Sequence, residues 1–287
     1  MKFLWSTSFR SFGKSENNDN IQRIFLDSIK SLNLDITLFV TQFGEQNVEN
    51  NLKSKNIKYI LKEAKEKIPL NKKYSNKYML KYSLEEFLRG DYEYYVHSTA
   101  DLILPLNIND CLLKFQKNNI LFFIFPNALV ANGKLLNPTT PLFGIDIFIY
   151  KIDKTKAKLF LDLLEDWQQY DWGVVDNFLI SIADKIKLDF VNIYKYSNII
   201  KFENDFYSFG ENNYWQKESW IENNKYFSKF LKKNKLSSLY AKGSYYYLAL
   251  KFFHFRDLNL DLFVCYLKLF VLFFVNSFKK LIYFRKK

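Results

Sequence analysis

Glycine, cysteine and histidine are scarce in this chain of 287 residues. Its 8 glycines lie at least 11 positions apart, which excludes the G-x-G-x-x-G, Walker A and G-x-S-x-G motifs. The usual dinucleotide and ATP phosphate loops and the usual serine-hydrolase elbow are therefore absent. Two cysteines, Cys111 and Cys265, are too few for a disulfide scaffold and suit a reducing compartment. With only two histidines, His97 and His254, they also argue against a structural zinc site.

The composition is that of a globular protein, with 48% hydrophobic and 25% charged residues. The net charge of +12 is concentrated at one end, because residues 251–287 carry 8 basic and 2 acidic side chains. Abundant Lys, Asn, Ile, Phe and Tyr indicate AT-rich codon usage as much as an anionic partner. The lysines match no nucleic-acid-binding module, so we expect no nucleic-acid partner.

Apolar runs typical of strands alternate with segments of helical period in the first hundred residues. Strands are predicted over 3–9, 35–43, 57–61 and 92–96, and helices over 18–32, 46–55 and 78–88. Gly90 provides a stop for the last of these helices. The alternation predicts an α/β fold with a parallel sheet, in which ligands bind beyond the carboxyl ends of the strands.

Further helices are predicted over 108–115, 153–167 and 174–182, and further strands over 120–125, 143–150 and 191–194. Residues 126–141 are rich in Asn, Pro and Thr and are predicted to form a long binding loop or lid. The chain beyond 215 is predicted to be helical. We therefore divide the chain into a catalytic domain over 1–214 and a helical C-terminal region over 215–287.

The end of the chain predicts an association with a membrane. Residues 262–275 are apolar except for Lys268, and basic residues follow them. A spanning helix needs about 20 apolar residues, so this run of 14 favours a helix lying on the membrane surface over about 258–287. Basic side chains would hold it on anionic headgroups. A buried core helix and a transmembrane anchor are the alternatives.

Residues 77–105 are the most informative segment for chemistry. A helix with a basic face leads into a hydrophobic strand, whose polar tip ends in Asp101. An acid at such a tip can hold a divalent cation, which in turn neutralises a diphosphate leaving group. Asp101 is therefore a candidate metal ligand and catalytic residue, and capping of the local turn is the alternative reading.

This segment resembles the strand and Asp-x-Asp region of GT-A glycosyltransferases, which use nucleotide-sugar donors. The matching triplet is Thr99-Ala100-Asp101, directly after Ser98. The resemblance covers roughly residues 1–200 and implies a Rossmann-like, mixed but mostly parallel sheet. It also implies that these four residues contact the donor and that Asp101 binds Mn²⁺ or Mg²⁺. Because the first position of the motif is Thr99 rather than Asp, the metal would be bound weakly, or lysines would stabilise the diphosphate instead.

A second similarity lies farther along the chain. Residues 141–150 look like the family's strand on the acceptor side, and residues 171–178 (DWGVVDNF) look like the segment that presents a carboxylate to the acceptor hydroxyl. The resemblance places Asp176 in that role. A carboxylate in a first helical turn is favoured by the helix dipole, and an ionised acid can act as a general base. The alternative is a helix-terminal charge without a catalytic role.

The resemblance also implies contacts to the nucleotide at the ends of two strands. Ser6, Thr7 and Arg10 occupy the polar end of the first strand, and Thr41 ends the second. Both places face the nucleotide in such folds.

Two lysines and a histidine complete the candidate site. Lys77 and Lys81 lie four positions apart on one helix face, from which they would contact the donor phosphates. Solvated lysines are the alternative. His254 is the candidate for the C-terminal histidine that completes the metal site in several GT-A enzymes, and packing in an aromatic stretch is its alternative.

The sequence thus predicts a glycosyltransferase that moves a sugar from a nucleotide donor to a cell-envelope or lipid-linked glycan. It would act at the cytoplasmic face of a bacterial inner membrane, by displacement at the anomeric carbon with lysines or a metal stabilising the departing diphosphate. The alternative is a non-catalytic, membrane-associated binding or assembly protein of the same fold.

Overall fold

The computed structural model describes most of the first 193 residues and part of the remainder. The described residues are 1–66, 68–69, 72, 74–115, 117–124, 128–131, 134–136, 145–171, 173–193, 199–202, 218–238 and 240. The membrane-surface helix predicted over 258–287 and His254 lie outside these ranges. Within them, no helix has the length and hydropathy that crossing a bilayer requires.

Strands and helices alternate along the described residues. The strands are β1 Lys2–Thr7, β2 Asp35–Gln42, β3 Tyr59–Glu63, β4 Tyr94–Ser98, β5 Leu102–Ile103, β6 Ile120–Ile124, β7 Ala128–Ala131, β8 Lys134–Leu136, β9 Ile147–Lys151, β10 Asp189–Asn192 and β11 Ile200–Phe202. The helices are α1 Glu16–Ser31, α2 Val48–Ser54, α3 Asn76–Arg89, α4 Ile108–Leu113, α5 Lys154–Glu165, α6 Val175–Lys185 and α7 Glu218–Lys233. Most predicted elements are therefore present, with ends shifted by a few residues.

One large sheet has the strand order β10-β6-β9-β4-β1-β2-β3. β9 pairs antiparallel with both β4 and β6, and every other neighbouring pair in this sheet is parallel. The prediction of an α/β sheet with mostly parallel strands is confirmed. The reversed direction of β9 has a consequence for the site, because β9 begins at the edge of the sheet where its parallel neighbours end.

Helices cover both faces of the large sheet, because its strands carry apolar side chains on both sides. One face packs Phe3 and Trp5 of β1 against Phe25 of α1. The other face packs Leu4 of β1 with residues of α3, α5, α6 and α7, including Phe178. The result is a three-layer arrangement around two hydrophobic cores.

A smaller sheet has the order β5-β11-β7-β8. The prediction of a long loop over 126–141 is wrong for β7 and β8, which pair antiparallel within that segment. β11 was not predicted either, because three residues carry too little periodicity to indicate a strand. All three strands are short, and β11 pairs with the distant strands β5 and β7, whereas β7 and β8 are adjacent in the chain.

Helix α7 belongs to the core of the large sheet. Phe227 and Phe230 are almost fully buried, and the Phe230 ring lies 5.0 Å from the ring of Phe178 in α6. The helical character predicted beyond 215 therefore holds for this segment, and α7 shares a hydrophobic core with residues before 214.

Candidate functional site

The antiparallel strand β9 brings two chain segments together at the carboxyl end of β4. Ser98, the last residue of β4, pairs with Ile147, the first residue of β9. The Thr99 amide then donates to the Asp146 carbonyl oxygen at 3.2 Å. Asp146 therefore lies beside the predicted Thr99-Ala100-Asp101 triplet. Within that triplet Thr99 is exposed and Asp101 is buried.

The small sheet adds a lysine to this edge. In the β5–β11 pair, Lys201 lies opposite Leu102, and the Phe202 amide donates to the Asp101 carbonyl oxygen at 2.9 Å. The Lys201 ammonium forms an ion pair with the Asp146 carboxylate, and both side chains are about nine-tenths buried. Lys201 is thus held beside two acids by backbone pairing and by its own charge.

Asp176 reaches the same place from the first turn of α6. Its Oδ2 accepts a hydrogen bond from the Ile145 amide at 3.0 Å, directly before Asp146. It interacts electrostatically with both Asp146 and Lys201. We call Asp101, Asp146, Asp176 and Lys201 the carboxylate–lysine cluster. The structure therefore brings together the two predicted catalytic acids, Asp101 and Asp176, around one buried ammonium group.

Burial and neighbouring charges shift the pKa values of Asp146, Asp176 and Lys201. Burial raises the pKa of Asp146 to about 7, against the opposing effect of Lys201, and the neighbouring Asp101 and Asp176 add to the rise. Burial likewise raises the pKa of Asp176 to about 6, while the Ile145 amide and Lys201 act in the opposite direction. Burial alone would lower the pKa of Lys201, but the three carboxylates outweigh it and raise that pKa, so Lys201 stays charged.

The cluster has the elements of a proton-transfer site. At neutral pH Asp176 is largely ionised, and a pKa near 6 suits a general base that works close to that pH. Buried groups whose pKa values are shifted by burial and by neighbouring charges occur preferentially at functional sites. The nearby ammonium of Lys201 provides a fixed positive charge in the same small volume.

The donor set does not fit a divalent cation. Thr99, at the first position of the predicted motif, is exposed and offers no carboxylate. The fully charged Lys201 ammonium lies among the three acids, where it would repel such a cation. Across the described ranges, no three His, Cys, Asp or Glu side chains converge as metal ligands. Asp101 is therefore not supported as a metal ligand, and His254 lies outside the described residues.

The predicted nucleotide contacts lie at the ends of β1 and β2. Ser6 and Thr7 end β1 and Thr41 lies near the end of β2, and all three are fully buried. The hydroxyl oxygens of Thr7 and Thr41 form no hydrogen bond with any residue that the structure describes. Buried hydroxyls without partners are rare, so these two oxygens have unused hydrogen-bonding capacity.

Arg10 follows β1 and is tied to α1. Its guanidinium Nη1 donates to Asn18 Oδ1 at 3.2 Å, and its amide donates to Gln22 Oε1 at 2.6 Å. The half-buried Arg10 is thus held over the start of α1. Ser98 accepts a hydrogen bond from Trp5 Nε1 at 2.8 Å, so its hydroxyl has a structural partner.

Lys77 and Lys81 share a helix face, as predicted, but both meet Glu165 of α5. The Lys81 ammonium lies 3.0 Å from the Glu165 carboxylate, and Lys77 donates to the Glu165 carbonyl oxygen at 3.1 Å. The bond with Glu165 raises the pKa of Lys81, whereas burial lowers the pKa of Lys77. These contacts join α3 to α5, and the geometry does not support a role for either lysine at the donor phosphates.

Sequence reasoning missed Asp146 and Lys201. Asp146 lies inside the strand-like segment 141–150, and the residues around it form no motif that indicates a functional role. Lys201 is one of 42 basic residues and lies on the three-residue strand β11. No local sequence signal could have identified Asp146, because the reversed direction of β9 is known only from the tertiary structure.

No known protein family model matches the chain, and no curated protein matches it. Among solved structures, S. aureus TarS 1–349 in complex with UDP-GlcNAc matches 84% of this chain and 69% of that chain, with a TM-score of 0.54 and 9% identity. The inositol-1-phosphate CTP transferase of T. maritima matches 81% and 97% respectively, with a TM-score of 0.46 and 12% identity. The likeness to the S. aureus structure shows the fold, and the predicted GT-A, Rossmann-like architecture is confirmed.

Proposed function

We propose that this protein is a transferase that uses a nucleotide-sugar donor and, more specifically, a glycosyltransferase. The observation that carries the proposal is the carboxylate–lysine cluster at the carboxyl edge of the large sheet. Ligands of open α/β sheets bind at this edge. The GT-A fold is shared with a structure that holds UDP-GlcNAc.

Asp176 is the general base of the proposed reaction. Its carboxylate takes the proton of an acceptor hydroxyl while that oxygen forms a bond to the anomeric carbon of the sugar. The bond from that carbon to the donor diphosphate breaks, and the diphosphate leaves with the electron pair. A pKa of about 6 leaves Asp176 ionised at pH 7, as this role requires.

The rest of the cluster and the strand ends serve the donor. Lys201 supplies the buried positive charge near the departing diphosphate, in line with the expectation that lysine replaces a metal there. Asp101 lies beside Lys201 in the same cluster. The buried hydroxyls of Thr7 and Thr41 are suited to polar groups of the nucleotide.

The acceptor and the location of the enzyme rest on the sequence alone. We infer a cell-envelope or lipid-linked glycan acceptor at the cytoplasmic face of the inner membrane, because residues 262–275 are apolar and basic residues follow them. A surface helix over 258–287 would keep the catalytic domain close to such an acceptor.

A donor screen tests the proposed function. Full-length protein is assayed for nucleotide release from a panel of nucleotide sugars, with Mg²⁺, with Mn²⁺ and with a chelator, while calorimetry measures binding of nucleoside diphosphates. Asp176→Asn should retain nucleotide binding and lose at least about 100-fold in turnover. Asp162→Asn, on the exposed face of α5, is the matched control and should remain active. Binding without turnover of any donor would favour the non-catalytic alternative, and absence of both would refute the donor proposal.

A further inference from the structure

The chain enters α6 through a turn with unusual backbone geometry. Asp171, Gly173 and Val174 have positive φ angles of 55°, 112° and 57°, and Asp176 follows two residues later. A β-branched residue such as Val174 adopts this region only at a cost of about 1–3 kcal/mol. Such a conformation persists only where the surrounding structure holds it.

The start of α3 holds this turn from one side. The Asp171 amide donates to the Tyr74 carbonyl oxygen at 2.8 Å. The Asn76 amide donates to Gln169 Oε1 at 2.7 Å, and the Ser75 hydroxyl donates to the Gln169 carbonyl oxygen at 2.6 Å. The main chain on either side of residue 170 is therefore bound to α3.

Helix α7 holds the turn from the other side. Asn223 Nδ2 donates to the Tyr170 carbonyl oxygen at 2.7 Å, and Asn223 Oδ1 accepts from the Tyr170 amide at 3.2 Å, so one side chain satisfies both backbone groups. The indole of Trp220 packs on Gly173 so closely that a Cβ there would lie 2.9 Å from Trp220 Cδ1. We call Trp220 and Asn223 the α7 clamp.

We propose that the α7 clamp is a positioning element that holds Tyr170, Asp171, Gly173 and Val174 so that Asp176 points into the carboxylate–lysine cluster. Trp220 and Asn223 touch the turn and act through it. The kinetic part of this inference rests on the proposed function. It assigns a role in the reaction to a helix that the sequence alone places outside the catalytic domain.

The clamp is distinct from the packing that holds α7 in the fold. Phe227 and Phe230 anchor the helix in the core beside Phe178, about one to three turns farther along. Removing a clamp side chain therefore leaves that anchor in place. The expected consequence is a displaced Asp176 in a folded protein, and a small misplacement of a catalytic group can reduce turnover by about 100-fold.

Kinetics of α7 variants provide the first test. Asn223→Ala and Trp220→Ala should lower kcat by about tenfold or more with a donor KM within about twofold of wild type. Trp220→Phe keeps a ring against Gly173 and should restore most of kcat. Ile221→Ala, at an exposed position of the same helix, is the matched control. An unchanged kcat in both alanine variants, or equal losses in the control, would overturn the inference.

Hydrogen exchange provides a test that needs no substrate. In Trp220→Ala and Asn223→Ala, the amides of residues 171–176 should exchange faster, while those of β1 and β2 keep wild-type protection. Unchanged exchange over 171–176 would refute the clamp. Wild-type protein that processes no donor would refute the proposed function, and the exchange result would still decide whether the clamp orders the turn. Trp220→Phe again serves as the milder variant if an alanine variant fails to fold.

Discussion

The Lys201 ammonium and the Asp146 carboxylate form a buried ion pair across 55 positions of the chain. Lys201 belongs to the small sheet, and Asp146 precedes β9 of the large sheet. The pair therefore joins the two sheets at the place where Asp101 and Asp176 also interact with Lys201. The contribution of this ion pair to the free energy of unfolding can be measured separately from any role in catalysis, because unfolding is measured without a substrate.

Lys201→Met should destabilise the fold by about 3 kcal/mol, because it leaves the buried Asp146 without its counter-ion. The deficit should grow as the pH rises above 7, since burial raises the pKa of Asp146 to about 7 and a neutral carboxyl needs no counter-ion. Urea unfolding at several pH values measures it. Lys233→Met, which removes an exposed ion pair with Asp166, should cost less than about 1 kcal/mol. Adding Asp146→Asn should recover much of the loss, and equal costs in the two lysine variants would contradict the prediction.

The pH dependence of turnover should report Asp176. Its pKa of about 6 predicts that kcat/KM rises about tenfold per pH unit below 6 and levels off above it, because only the carboxylate acts as a base. A profile that is flat from pH 5 to 8 would exclude this role.

The stability of Asp176→Asn relative to wild type should also depend on the raised pKa of Asp176. Ionisation of Asp176 favours turnover but destabilises the fold. Because the folded pKa lies above the ordinary value of 3.8, ionisation of Asp176 costs stability as the pH rises from about 4 through 6. The asparagine variant lacks this cost, so it should gain stability relative to wild type over that interval. Thermal unfolding at pH 4, 6 and 8 tests this. A difference that is constant with pH would count against the raised pKa.

Gly173→Ala should destabilise the protein more than Gly44→Ala. Both glycines have positive φ angles, 112° and 95°, so both substitutions incur backbone strain of about 1 kcal/mol. Only at Gly173 would the new Cβ also clash, 2.9 Å from Trp220 Cδ1, since nothing lies within 4 Å at Gly44. Thermal unfolding of the two variants gives the comparison. Equal losses would show that the contact with Trp220 is loose.

Substituting Lys77 and Lys81 should leave donor binding unchanged. Lys81→Ala removes a partly exposed ion pair with Glu165 and should cost less than about 1 kcal/mol. The donor KM of Lys77→Ala and Lys81→Ala should stay within about twofold of wild type. A tenfold increase in either variant would restore the role at the donor phosphates that the sequence predicted.

Deletion of residues 258–287 should release the protein from membranes. The full chain should sediment with anionic vesicles and the shortened chain should stay in the supernatant, because the apolar run and six of the eight basic residues of 251–287 are removed. Increased salt should weaken the binding only partly, since apolar burial persists. A full chain that remains in solution without detergent and without binding to vesicles would refute the membrane proposal.

Much of the fold could be predicted from local patterns. The strands β1 to β4 and the helices between them show clear hydrophobic periods, and their alternation indicates a parallel sheet. The paired strands β7 and β8 could not be predicted in this way, because four and three residues give no reliable period. The candidate site was only half predicted. Asp101 and Asp176 were predicted from their positions in sequence motifs. Lys201 is recognised as part of the site only from its ion pair with Asp146 in the structure.

The sequence by itself determined the α/β alternation, the two acids at element ends and the basic, apolar end of the chain, since each depends on neighbouring residues. The tertiary structure alone decided that β9 runs antiparallel, that β11 places Lys201 between the acids, and that α7 holds the turn before Asp176. These relationships join residues separated by tens of positions, and their energies depend on burial. Burial is a property of the packed chain, and it converts an ordinary aspartate into one with a pKa near 6.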